Sequence, residues 1–363
     1  MEQERMARVL EQMKERNMPQ LLISDPATIF YLTGVSTEAG ERLLTLVLKE
    51  NGKHVAVINK LFPLTKEQLG MPVVNVDDID EGFGMGTLVE QLDTSLPIAV
   101  DKNWAAHFLL DLMKRVNQPV SHFDISSKIT DDIRAIKSSE EIQKMRNASK
   151  DNDKAIGELA ALVPEKLTEE EMGSRLLDIY KSMGNSGFSF DPIVAYGANG
   201  ADPHHMNDDS VVKDGDSIIL DIGGVKDGYC SDMTRTFFYK SVSDKSRDVY
   251  ETVLEANLRG IAAVKPGATF AEIDAACRDY ITEKGYGEYF THRTGHFIGI
   301  QCHETGDVSS SNHTQVKPGM IFSIEPGIYL PGEVGVRIED LVVATEDGCE
   351  ILNNYPKDLT ILG

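Results

Sequence analysis

The chain has 363 residues with 36 Lys and Arg against 58 Asp and Glu, a formal net charge of −22 that argues against nucleic acid or an anionic membrane as partner. Its length allows two domains, and its longest apolar runs, such as Leu43 to Leu48, are too short to cross a bilayer. The charged opening Met1-Glu2-Gln3-Glu4-Arg5 reads as a surface helix rather than a signal peptide, and Cys230, Cys277, Cys302 and Cys349 contain no Cys-x-x-Cys pair, as expected for reduced thiols of a cytoplasmic protein.

From Leu21 to about Phe123 short apolar runs alternate with helical stretches. Leu43 to Leu48, His54 to Ile58 and Ile98 to Val100 read as strands, and Asn103 to Val116 as a helix. Residues 1–125 therefore read as an α/β domain, 126–137 as a linker, and 138–363 as a second domain. Three capping boxes open helices in that second domain: Ser138 with Glu141, Thr168 with Glu171, and Thr269 with Glu272. The first helix is expected to stop at Pro164, the second near Gly184 and the third near Gly285. The order helix, helix, hairpin, helix, helix, hairpin predicts an α+β fold of two duplicated halves, with helices covering one face of a curved antiparallel sheet.

The duplication is visible in the residues. Val212-Lys213-Asp214-Gly215 leads through an apolar run to Asp221, and Val316-Lys317-Pro318-Gly319 leads through another to Glu325. In both an acid follows the Val by nine positions, and the copies are 104 residues apart. Each acid has a second one across a turn. Asp221 and Asp232 flank Asp227-Gly228, a strong hairpin signal, and in a regular hairpin centred between Lys226 and Asp227 they lie opposite each other. Glu325 and Glu339 flank Pro331-Gly332-Glu333, a longer turn. Any one of these acids alone would be an ordinary surface carboxylate. Like charges directly opposite are destabilising, so four acids gathered this way need cations or protons. Two such half-sites facing each other could hold metal ions.

Histidines complete the pattern. His292, His296 and His303 fall within twelve residues of Thr291 to Glu304, with Gly295 and Gly299 around His296. Neutral imidazole is the commonest protein metal ligand, although His292 by itself reads as an ordinary hydrogen-bonded loop histidine. Pro203-His204 is an extended segment able to reach the first half-site.

Asp221, Asp232, His296, Glu325 and Glu339, within Leu220-Asp221-Ile222-Gly223, Gly228 to Thr236, His292 to His296, Ser323 to Gly327 and Val336 to Asp340, resemble in order and context the five metal ligands of the pita-bread metallopeptidases. The resemblance runs over essentially the whole chain, including Phe30-Tyr31-Leu32-Thr33-Gly34 in the creatinase-like N-terminal domain. It is strongest to the Xaa-Pro dipeptidases (prolidases) and the related Xaa-Pro aminopeptidases. Two positions depart from the pattern: Phe297 stands where many relatives have Gly, which would reshape a pocket wall, and His205 where a small residue often follows the Pro-His pair.

The resemblance implies two divalent ions, with Mn, Co or Zn suited to so oxygen-rich a ligand set. Asp232 and Glu339 would bridge them, Asp221 completing one and His296 with Glu325 the other. A hydroxide held between the ions would attack the carbonyl of the residue preceding proline. Glu325 would shuttle the proton, His204 and His303 would stabilise the oxyanion and orient the substrate, and Arg337 would bind a substrate carboxylate or hold Asp232 and Glu339 in place. Phe188, Phe190, Tyr229, Phe297 and Ile298 are candidate walls for the pyrrolidine ring, each equally readable as core. A homodimer is implied by the same analogy. The expected activity is Xaa-Pro dipeptidase, with Xaa-Pro aminopeptidase as runner-up. A catalytically dead domain that binds peptides or protein partners, metal-free creatine hydrolysis and methionine aminopeptidase fit less well, because all five ligands and a domain at residues 1–125 are present.

Overall fold

The computed structural model describes residues 2–363 and divides after Arg134 into two compact units. In the first, strands β1 (Gln20–Ile23), β2 (Leu44–Lys49), β3 (Val55–Asn59), β4 (Val73–Val76), β5 (Ile98–Val100) and β6 (Phe123–Ile125) form one six-stranded sheet in the order β4-β3-β2-β1-β5-β6. The pairs β1–β2 and β2–β3 are antiparallel and the other three parallel. The chain returns through helices α1 (Gln3–Glu15), α2 (Pro26–Thr33), α3 (Lys66–Leu69), α4 (Met85–Glu90) and α5 (Ala106–Val116). Leu22, Val47, Val57, Ile98, Phe108 and Leu112 lie in its core. The stretch expected as a linker is instead ordered: it carries α6 (Ser127–Ala135), where the apolar Ile129 and Ile133 are one helical turn apart and both buried.

The second unit shows the two-fold pattern. Its first half contains α7 (Ser139–Leu162), α8 (Glu169–Ser182), β7 (Gly187–Phe188), β8 (Ile193–Tyr196), β9 (Ser217–Ile222), β10 (Gly224–Lys226), β11 (Tyr229–Cys230) and β12 (Met233–Tyr239). The second contains α9 (Asp244–Ala263), α10 (Phe270–Glu283), β13 (Gly295–Phe297), β14 (Glu304–Val308), β15 (Ile321–Ile324), β16 (Gly327–Leu330), β17 (Val334–Arg337), β18 (Asp340–Ala344) and β19 (Cys349–Ile351). A last strand, β20 (Ile361–Leu362), returns to the first half in the sheet β20-β12-β9-β8, while the second half builds β14-β13-β15-β18-β19. The three capping boxes at Ser138, Thr168 and Thr269 form with both reciprocal bonds. Each half has its own core, with Ile156, Leu176, Ile218, Leu220 and Phe237 in one and Val253, Ile273, Phe322, Ile324 and Val342 in the other.

Strand alternation turns each half toward the site. Ile218, Leu220 and Ile222 of β9 enter the first core, so Asp221 projects from the opposite face. Phe322 and Ile324 of β15 enter the second core, leaving Ser323 and the following Glu325 on the other side. Helices hold both strands by the same device: Asn152 Nδ2 of α7 donates to the Ile222 carbonyl at 2.9 Å, and Asn257 Nδ2 of α9 donates to the Ile324 carbonyl at 2.9 Å.

Candidate metal centre

The first hairpin differs from the expected register. β9 pairs β12 with Thr234 opposite Asp221, and β10 pairs β11 with Lys226 opposite Tyr229. The turn is centred on Asp227-Gly228, where both φ angles are positive (52° and 78°), the backbone that a two-residue type I′ hairpin requires. Asp232 is therefore displaced by two residues from direct opposition, an even shift that keeps it on the Asp221 face. In the second hairpin Gly327 pairs with Arg337 and Ile324 with Asp340. The same register carries across the break between the strands and sets Glu325 opposite Glu339, as the sequence predicted.

His296 reaches the cluster on β13, whose Gly295 neighbour is demanded by crowding: a Cβ there would lie 1.9 Å from the Ser323 carbonyl oxygen. His296 Nε2 is 3.4 Å from Asp232 Oδ2 and 3.5 Å from Glu325 Oε1. Ligand atoms of Asp232, His296 and Glu339 lie within 4.8 Å of one another. Ser323 Oγ donates to Glu325 Oε1 at 3.1 Å, Thr234 Oγ1 to Glu339 Oε2 at 2.8 Å, and the Cys302 thiol to Asp232 Oδ2 at 3.3 Å. Arg337 is buried and donates to Asp221 Oδ2 at 2.6 Å, to the Tyr329 hydroxyl at 2.9 Å and to Thr234 Oγ1 at 3.3 Å. It thus holds Asp221 directly and Glu339 through Thr234, and no bond to Asp232 is seen.

The donor set fits metal ions on one decisive observation. Asp221 Oδ1, Asp232 Oδ1 and Glu339 Oε1 are buried with no hydrogen-bond partner among the described residues. Orphaned buried carboxylate oxygens are costly, and here three belong to one cluster. Burial pushes the Asp232 carboxyl well above its ordinary range, with Asp221 and Glu325 adding repulsion. Burial and then Asp232 do the same to Glu339, and burial raises Asp221 against the opposing pull of Arg337. Each shift favours uptake of a proton in a metal-free cluster, and divalent cations would compete with those protons.

A cavity of about 980 Å³ opens over the cluster. Asp221, Asp232, His296, Glu325, Glu339, Arg337, His204 and His303 all line it, as do Phe188 and Phe190. Tyr229, Phe297 and Ile298 do not. Phe297 follows His296 on β13, so alternation sends it into the core, where its ring packs 5.1 Å from that of Phe270. The Tyr229 hydroxyl donates to Glu141 at 2.9 Å, away from the cavity. Leu177, Ile193 and Pro203 supply apolar wall instead. His303 is drawn down to about 4 by burial, with help from His296 and Arg293, and so is a neutral imidazole at neutral pH. His205 turns from the rim to Glu169, at 2.6 Å.

Sequence reading missed Thr234, Tyr329 and Ser323, whose hydroxyls orient the charged groups. His292 is a hydrogen-bonded loop histidine, as the sequence suggested, with its Nε2 2.8 Å from the Tyr329 hydroxyl that receives Arg337. The available signal was position: Ser323 stands two residues before Glu325 and Thr234 two after Asp232, while nothing in the spacing marks Tyr329.

The profile of metallopeptidase family M24 matches residues 143–346, and that of the creatinase/prolidase N-terminal domain matches residues 5–136. This chain belongs to metallopeptidase family M24. An uncharacterized peptidase of Staphylococcus aureus (strain MRSA252) is 35% identical over 362 residues, covering 97% of this chain and 99% of its own. The crystal structure of the dipeptidase PepE from Mycobacterium ulcerans superposes with a TM-score of 0.92 at 32% identity, over 99% of this chain and 97% of that one. The prolidase from Pyrococcus horikoshii OT3 gives 0.88 at 30% identity, over 98% and 99%. The fold is accordingly the creatinase-type N-terminal domain followed by the family's pita-bread domain with its curved sheets, and the chain is a metallopeptidase.

Proposed function

We propose that this peptidase hydrolyses the bond preceding proline in Xaa-Pro dipeptides, using two divalent ions held by Asp221, Asp232, His296, Glu325 and Glu339. The observation that carries the reading is the set of three orphaned carboxylate oxygens beneath a cavity with a partly apolar wall. Bound ions would lower the pKa of a water and polarise the scissile carbonyl. The oxygen-rich donors suit Mn, with Co and Zn as substitutes.

The remaining work falls to side chains. Asp232 from the first half and Glu339 from the second each keep one buried oxygen unbonded and would be the ligands shared by both ions. Glu325 is the proton carrier from the attacking water to the prolyl nitrogen, and Ser323 orients its carboxylate. His204 and the neutral His303, which line the cavity, donate hydrogen bonds to the developing oxyanion and the substrate backbone. Arg337 is occupied by Asp221 and Tyr329, so its role is to position Asp221 rather than to grasp a substrate carboxylate. Phe188, Phe190 and Ile193 form the wall on which a pyrrolidine ring packs.

The named dipeptidase and prolidase structures support a dipeptide substrate. The cavity volume favours the runner-up, an Xaa-Pro aminopeptidase acting on longer peptides: it lies at the upper end of the range of about 300–1,000 Å³ for drug-sized ligands. A homodimer is proposed by analogy. The test is hydrolysis by metal-stripped protein, with Mn, Co or Zn restored, of an Xaa-Pro dipeptide beside an Xaa-Pro-Yaa tripeptide. Metal-restored cleavage of the dipeptide alone is expected. Faster cleavage of the tripeptide selects the aminopeptidase, and cleavage of neither refutes both.

A further inference from the structure

The thiol of Cys302 lies outside the five-ligand set, yet it is buried, lines the cavity and stands 3.3 Å from Asp232 Oδ2. Two histidines flank it. The rings of His296 and His303 are 4.2 Å apart, and one ligand atom from each of His296, Cys302 and His303 falls within 4.8 Å of the other two. A tetrahedral ion with bonds near 2.0–2.3 Å separates its ligands by roughly 3.4 Å, so small side-chain rotations suffice to close these donors on one ion. The His296 Nδ1 atom is engaged with the Phe297 carbonyl at 3.2 Å, which leaves Nε2 for the cavity.

We infer that Cys302, His303 and His296 form an alternative thiolate-containing site for a soft or borderline divalent cation, zinc or cadmium, which shares His296 with the peptidase centre and whose occupation inhibits it. One sulfur and two imidazole nitrogens select such ions over manganese, whereas the carboxylate cluster has the opposite preference. On binding, the thiol proton passes to solvent and a sulfur–metal bond replaces S–H, with no change of oxidation state. Inhibition follows from geometry, because His296 cannot serve both sites and His303 is withdrawn from its role toward the substrate. The inhibitory half of the inference rests on the function proposed above. The binding half does not.

The test adds Cd²⁺ stepwise to the Mn²⁺-loaded protein and follows two signals, the ultraviolet thiolate-to-cadmium charge-transfer absorption and peptide hydrolysis. The absorption is expected to saturate at a single equivalent in the unaltered protein and in Cys230→Ser, and to vanish in Cys302→Ser and in the volume-conserving Cys302→Val. His303→Ala is expected to weaken cadmium binding by more than about tenfold. Persistence of the band in both Cys302 variants overturns the site. Cadmium inhibiting Cys302→Ser as strongly as the unaltered protein, each relative to its own manganese activity, overturns the overlap. If no Xaa-Pro peptide is cleaved at all, the proposed function fails and the absorption still decides the site.

Discussion

Replacing Arg337 by Met removes the cation that faces the carboxylate cluster while keeping most of the side-chain volume. The ion pair with Asp221 is largely withdrawn from water, its side chains 4% and 12% exposed. Removing one partner of such a pair costs about 3–5 kcal/mol because a charge is left uncompensated. Asp221 is already raised by burial and can take up a proton, which places the cost near the lower end, about 3 kcal/mol. For units of this size each kcal/mol moves the midpoint by about 2–4 °C, so the metal-free variant should melt roughly 6–12 °C lower. The deficit should grow from acidic to neutral pH, where protonating Asp221 becomes harder. Added Mn²⁺ should recover much of it by supplying positive charge. Thermal denaturation with chelator and with Mn²⁺, at both pH values, measures all three effects. A metal-free shift below about 2 °C, or a deficit indifferent to Mn²⁺, would refute the account of Arg337 as the counter-charge of the cluster.

Asp232→Ala and Glu339→Ala should each abolish metal-dependent hydrolysis, and normal turnover in either would sink the dinuclear reading. Thr234→Val deletes the hydroxyl that orients Glu339 and should weaken Mn²⁺ binding by about 10–100-fold, read by calorimetric titration. Asp232 and Glu339 give up their protons at higher pH in the metal-free fold than in the unfolded chain. Their contribution to metal-free stability is therefore present at low pH and lost as pH rises through the raised folded values, a slope that Asp232→Asn with Glu339→Gln should flatten in pH-dependent melting curves. Asn257→Leu strands the Ile324 carbonyl beside Glu325 and should cost about 1–3 kcal/mol in denaturant unfolding, with a matching loss for Asn152→Leu in the other half.

Much of the site was legible because it is written twice. The acids at 221 and 325 recur after equivalent turns, and the capping boxes at Ser138, Thr168 and Thr269 mark helix starts by local chemistry alone. What failed depended on relations that spacing leaves open. The register was centred between Lys226 and Asp227 from the midpoint of the two acids, whereas Asp227-Gly228, whose φ angles are both positive, is itself the central pair of the turn. Phe297 stood open between pocket wall and core because it departs from the family pattern, and strand alternation next to His296 decides for the core. The edge strands β4 and β6 are short, and β7 and β11 have two residues each, too few to establish a period. The bond of Arg337 to Asp221 joins the second half to the first, which no local pattern encodes.

The two turns that close the hairpins also act as phase-setters for the chemistry. A single residue inserted into or deleted from Asp227-Gly228 or Pro331-Gly332-Glu333 would advance one strand by half a pleat, turning its acid toward the helices and a core residue toward the cavity. These exposed tips, where loops elsewhere drift in length, are therefore places where this chain tolerates changes of residue far better than changes of count.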